Sequence, residues 1–144
     1  MKRSASILAL AFALVSCGKE IGRIPMSSAG AAETKITVKS GEHLALWTSL
    51  DLSYTGTLEA RYEVELVEGG TTVSQAKCDP LDVSTKIGSK VITIGSHHSK
   101  SYSGKMHCEV VATKDGEATV RARLIFDDSP ADLAIKDMSL VIKR

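Results

Sequence analysis

A period of two runs through most of this chain, and it confines the chain to one class of structure. From Thr57 to Val67, Leu58, Ala60, Tyr62, Val64 and Leu66 alternate with Glu59, Arg61, Glu63 and Glu65. Successive side chains of a strand point to opposite faces, so this pattern buries one face and wets the other. Leu44 to Tyr54 repeats it, with Leu44, Leu46, Leu50, Leu52 and Tyr54 on one side and Trp47, Ser49, Asp51 and Ser53 on the other. Shorter strands are expected at 35–38, 71–78 and 91–94. Two more alternating runs cover 105–113 and 118–126, the second with Arg121 and Arg123 outward.

Turn chemistry punctuates these runs. Gly69-Gly70 marks a hairpin, and Asp115-Gly116 marks a second, tight one that would pair 105–113 back with 118–126. Asp79-Pro80 opens an expected loop over 79–89, and Asp127-Asp128-Ser129-Pro130 breaks the chain again. In the last segment Leu133 and Ile135 sit on odd positions, then Met138, Leu140 and Ile142 on even ones. A change of phase without a change of face requires an extra residue, which predicts a β-bulge near Lys136-Asp137. No stretch beyond the first seventeen residues has a helical period. The expectation is an all-β domain of about seven or eight strands over residues 35–144. It would be an antiparallel two-sheet β-sandwich, jelly-roll or immunoglobulin-like, with a small closed barrel as the alternative.

The chain begins differently. Lys2 and Arg3 precede an apolar run from Ile7 to Val15, far shorter than the roughly 20 residues of a spanning helix. That is the layout of an export signal. It ends in Leu14-Val15-Ser16-Cys17-Gly18, which resembles the lipobox of bacterial lipoproteins. The resemblance implies a signal peptide over residues 1–16, removed just before Cys17. It implies acylation of Cys17, whose thiol would carry the lipid that anchors the protein in a bilayer. Two or more acyl chains hold stably, at about 0.8 kcal/mol per buried methylene. In enteric-type sorting an Asp after the cysteine retains a lipoprotein in the inner membrane. Gly18 stands there, so the resemblance implies the outer membrane facing the periplasm if the source is Gram-negative. The alternative is an ordinary secretory signal that leaves Cys17 as a free thiol. Residues 18–34, with Pro25 and many small residues, show neither period and read as a flexible tether; 17–34 would be a lipidated coil spanning roughly 20–25 Å.

Composition narrows function by exclusion. Lys and Arg number 18 against 17 Asp and Glu in 144 residues, so the basic excess of a nucleic-acid binder is missing. Loss of Lys2 and Arg3 would leave sixteen basic residues against 17 acidic, formally −1, so the lipid rather than a basic patch would anchor the mature chain. No Gly-x-Ser-x-Gly elbow, phosphate-cradling glycine loop or His-Glu-x-x-His is present. A non-catalytic protein without cofactor is expected.

Few residues remain as candidates. Cys78 and Cys108 are an even pair in an exported domain, which predicts a disulfide; two buried thiols are the alternative. The stretch Gly95 to Gly104 holds His97, His98 and Tyr102 among four serines, and is expected to be a polar loop able to carry recognition. Adjacent histidines on an extended chain point opposite ways, so His97 and His98 are poor partners for one metal ion, and no metal is assigned; His107 could approach one of them. Trp47, on the face opposite its leucine neighbours, is either packed under a loop or an exposed anchor for a partner. Finally, Ala131 to Ile142 resembles the closing strand of jelly-roll carbohydrate-binding modules, although the aromatic face such modules use is not visible here. The expected function is a membrane-anchored envelope lipoprotein whose domain binds another protein, and a flat edge strand would favour binding by strand addition. The alternatives are a protective inhibitor or immunity factor, and a glycan-binding module.

Overall fold

The structure is a computed structural model and describes residues 18–144; the expected signal and Cys17 lie outside the described residues. Nine strands follow in order: β1 (Glu20–Pro25), β2 (Gly30–Val38), β3 (His43–Thr55), β4 (Glu59–Glu68), β5 (Thr71–Cys78), β6 (Val83–Ile94), β7 (His97–Val111), β8 (Gly116–Asp128) and β9 (Ala134–Lys143). They form two antiparallel sheets, ordered β1-β9-β3-β7-β6 and β2-β8-β4-β5. The pairing is nested: β4 with β5, β3 with β7, β2 with β8 and β1 with β9. Concentric pairing split over two sheets is a jelly roll, so of the two sandwich types expected the jelly roll is the one formed. β6 is the strand outside that nest, added at the edge beside β7.

The core lies between the sheets. Leu44, Leu46, Leu50, Leu52 and Tyr54 of β3 meet Tyr62, Val64 and Leu66 of β4 and Val120, Ala122 and Leu124 of β8, all buried. The phase change in β9 is a bulge, as its pattern required. Asp51 pairs with Asp137 and Leu52 with Ile135, leaving Lys136 as the extra residue. Cys78 of β5 and Cys108 of β7 are bonded at a Cα–Cα distance of 5.7 Å, which staples one sheet to the other.

Three expectations are corrected. Residues 18–34 are not a coil: they contain β1 and the first five residues of β2. β1 runs along β9 from Glu20 opposite Lys143 to Pro25 opposite Ser139, with a bulge between Glu20 and Gly22. Both strands lie at sheet edges, where Pro25, alanines and a bulge are tolerated and the alternating pattern fades. The backbones of Lys19 and Arg144 exchange two hydrogen bonds of 3.0 Å, so the chain is fastened to the domain one residue after Gly18. Second, the Asp115-Gly116 turn does not close a hairpin. β7 and β8 belong to different sheets, and the segment between them arches across the sandwich. Ser40 holds that arch, its N–H donating to Asp115 (2.7 Å) and its hydroxyl to the Thr113 carbonyl (2.9 Å). Third, the expected loops 79–89 and 95–104 are mostly strand. β6 begins at Val83, and β7 starts at His97 after a two-residue turn. Gly95 takes φ +60° there while Ser96 stays negative, which places glycine where a type II′ hairpin demands it.

Candidate functional site

The alternation that builds the core also fixes what the outer face of the five-stranded sheet displays. With Leu50, Leu52 and Tyr54 inward, Ser49, Asp51, Ser53 and Thr55 of β3 face out. Ser103, Ser101, Ser99 and His97 of β7 lie opposite them in register. Beyond β7, the outward positions of β6 are Ile87, Lys90, Ile92 and Ile94, paired with Ser103, Ser101, Ser99 and His97. The result is a flat field of small hydroxyls bordered by an isoleucine ridge at the open edge.

That ridge is the most unusual surface among the described residues. Ile94 is 74% exposed, Val91 47%, Ile92 45% and Ile87 44%, and these are the large hydrophobics left open to solvent. All four belong to β6. The strand packs appreciably against β7 alone and overhangs the four-stranded sheet, so its upper half is wet on both faces. Ordinary proteins scatter their exposed apolar side chains; a contiguous group on one strand marks an interaction surface.

Of the residues singled out from the sequence, the histidines sit beside this edge and the aromatics do not. His97 and His98 point to opposite faces, as an extended chain requires. His97 Nδ1 is 3.1 Å from the Thr55 hydroxyl, which donates to Asp132 at 2.6 Å. The Thr55 N–H also donates to Asp132, at 2.9 Å. These bonds to Thr55 hold the Asp132 carboxyl below the usual aspartate range. The group pins the 129–133 segment to the end of β3. His98 turns inward and lies tilted on the Tyr54 ring, centroids 5.1 Å apart. His107 is ten residues further along β7 and faces Asp82 at 3.5 Å, so the expected approach to the other histidines does not occur. Among the described residues no cluster of three or more His, Cys, Asp or Glu side chains could hold a metal ion.

Tyr102 is a correction, and of the two readings of Trp47 the packed one holds, under Lys143 rather than under a loop. Tyr102 is buried and its hydroxyl donates to the Pro80 carbonyl at 2.7 Å. Burial, with Asp79 adding repulsion, pushes its phenol up to about 12. Trp47 is buried too, although it sits on the outer face: the Lys143 ammonium covers its ring at 3.8 Å from the centroid. A long cationic side chain lying flat over an indole removes it from the surface. Neither ring is available to a ligand.

The opposite sheet presents charges in register. Glu63 lies opposite Arg123 and Glu65 opposite Arg121. Arg121 also bonds Glu33 at 3.0 Å, and Arg61 pairs with Asp127. A depression of about 400 Å³ over β4 and β5, lined by Glu63, Glu65, Gln75 and Lys77, is open and polar. These exposed pairs describe a solvated face.

The edge itself was the residue set that sequence reading missed. The signal was present: Val91-Ile92-Thr93-Ile94 is apolar on both faces, a pattern that fits a strand buried on both sides. Here it is buried on neither.

No family model matches the chain, and no curated protein matches it. Among solved structures, a similar chain occurs in a structure of infectious bursal disease virus, Gt strain. The two are 13% identical with a TM-score of 0.31, over 88% of this chain and 28% of that one. This chain thus spans less than a third of that protein's length, and so slight a likeness carries no argument about function.

Proposed function

We propose that this protein is an envelope lipoprotein, held to a bilayer through acylated Cys17, whose jelly-roll domain binds another protein along β6. The anchor rests on the Leu14-Val15-Ser16-Cys17 pattern behind a short apolar run. The binding reading rests on a single observation, the exposed isoleucines and valine gathered on one edge strand. The geometry suits the pairing of these two. Gly18 is fastened beside Arg144 at one end of the sheet, where Ala45 pairs with Lys143; Ile94 sits at the other, where Thr55 pairs with His97. Ten residues of strand separate the two ends, roughly 33 Å at 3.3 Å per residue. A lipid at Cys17 would therefore direct the open edge away from the membrane, and confinement to the bilayer would raise its effective concentration near membrane-bound partners. The buried Trp47 and Tyr102 leave no stacking platform of the kind a glycan reading needs.

The test is photocrosslinking in intact cells. A crosslinker at Ile92 should yield a discrete protein adduct, while one at Glu65 on the opposite sheet should not. Cys17→Ser should reduce the adduct and release the protein from membranes. Absence of an adduct from both positions would end the binding reading, and intact mass without lipid on Cys17 would end the anchor.

A further inference from the structure

The β6 edge is specific enough to define the shape and charge of what it takes. The following rests on the protein-binding reading above. The β6–β7 hairpin turns in two residues, so Ile94 and His97 flanking it bond to each other, and the ladder alternates from there. Ile94, Ile92 and Lys90 thus spend their backbone groups on β7. The N–H and C=O of Val91 and Thr93 turn to the open side. Natural sheet edges are blunted by bulges, lysines or proline. On β6 the register shifts lie between Val83 and Thr85 and between Ile87 and Lys90, and the lysines are Lys86 and Lys90. From Val91 to Ile94 the strand is regular, uncharged and free of proline.

Charge selects the occupant. β6 and β7 together carry Lys86, Lys90, Lys100 and Lys105 against one carboxylate, Glu109. A second copy of this chain would double the positive charge along the joined edge, which repulsion between like charges disfavours. A partner strand with acidic side chains meets the opposite situation. Ile92 and Ile94 on the outer face and Val91 on the inner one ask for aliphatic neighbours.

We infer that β6 accepts an extended, acidic and aliphatic segment of a partner protein as an added strand, bonded to the backbones of Val91 and Thr93. Four backbone bonds fix the segment, and alternate side chains supply selectivity.

Amide hydrogen exchange on the folded, disulfide-bonded protein tests this. Without ligand, the amides of Val91 and Thr93 should exchange far faster than those of Ile92 and Ile94. The probe is an octapeptide alternating valine with glutamate and threonine, compared with its lysine-for-glutamate analogue. The acidic peptide should slow exchange at Val91 and Thr93 at least tenfold, and less so as salt is raised; the basic one should not. Thr93→Pro removes an outward N–H, which an edge tolerates, together with the 3.4 Å contact of the Thr93 hydroxyl with His98 Nδ1. It should keep the melting temperature and weaken the acidic peptide at least tenfold. Three outcomes overturn the inference: equal protection by both peptides, protection that rises with protein concentration alone, or no protection by either. If an adduct still forms at Ile92 in cells while both peptides fail, the partner uses the isoleucine ridge without adding a strand. Protein binding then survives and strand addition does not.

Discussion

Glu68 shows how one side chain can hold an arch in place. Its carboxylate accepts from the N–H of Thr113 at 2.9 Å and from the Thr113 hydroxyl, where β7 leaves for the other sheet. These bonds, the hydroxyl first, hold its carboxyl below 4.5, the ordinary glutamate value. A depressed carboxylate contributes stability above its unfolded value and loses it as pH falls through the folded one. The melting-temperature gap between the protein and Glu68→Gln should therefore be full at pH 7 and close progressively below about pH 4.5; a gap independent of pH would refute the assignment. Tyr62 gives a contrasting case. It is fully buried; burial raises the phenol far above its usual value and the nearby Thr48 hydroxyl lowers it, yet among the described residues neither hydroxyl has a hydrogen bond of ordinary geometry. A hydroxyl without a partner adds little, so Tyr62→Phe should leave thermal stability unchanged or higher, whereas Tyr62→Ala should cost about 3–5 kcal/mol in denaturant unfolding. At this scale sequence reading did well on chemistry and poorly on exposure. The pairing of Cys78 with Cys108 and the opposed histidines followed from parity alone. Packing was one of the two readings open for Trp47, and what covers it was not legible, because Lys143 arrives from a strand nearly a hundred residues away.

Among elements, β1 is the one whose existence the sequence concealed. Its edge position, its bulge and Pro25 erase the period that betrayed the central strands. Gly22 is the contact that fits it to the sandwich: a Cβ there would meet the Ile36 side chain at 2.8 Å and Ile142 at 3.3 Å. Gly22→Val should detach β1, visible as trypsin cleavage after Arg23 that the native protein resists. Rapid cleavage at Arg23 in the unaltered protein would restore the flexible tether instead. β3 and β4, by contrast, were legible nearly residue by residue, because each is flanked on both sides and buries one complete face. The missed crossover at Asp115-Gly116 has the same origin. Turn residues specify a bend, but which sheet receives the next strand depends on what is already paired with β2 and β4.

For the whole molecule, the disulfide is a covalent cross-link between the two sheets, added to the backbone that passes from one to the other. It closes a loop of 30 residues and should contribute about 3–4 kcal/mol on the chain-entropy model. Reduction, or Cys78→Ala with Cys108→Ala, should lower the melting temperature by roughly 10–15 °C; a shift under about 2 °C would mean the sandwich holds its sheets together unaided. The antiparallel sandwich was legible as a class, while its jelly-roll order and the place of β6 outside the nest emerged only from the pairing. The clasp between Lys19 and Arg144 then has a mechanical corollary. With Cys17 anchored and β6 occupied as proposed, the domain would be stretched whenever the layers of an envelope slide apart. Such a pull would enter at Gly18 along the axis of β1 and leave along β6. Tension parallel to two antiparallel strands strains all their rungs together, where tension across them would peel one rung at a time. The short first strand would thus resist extraction as a lap joint does, in shear.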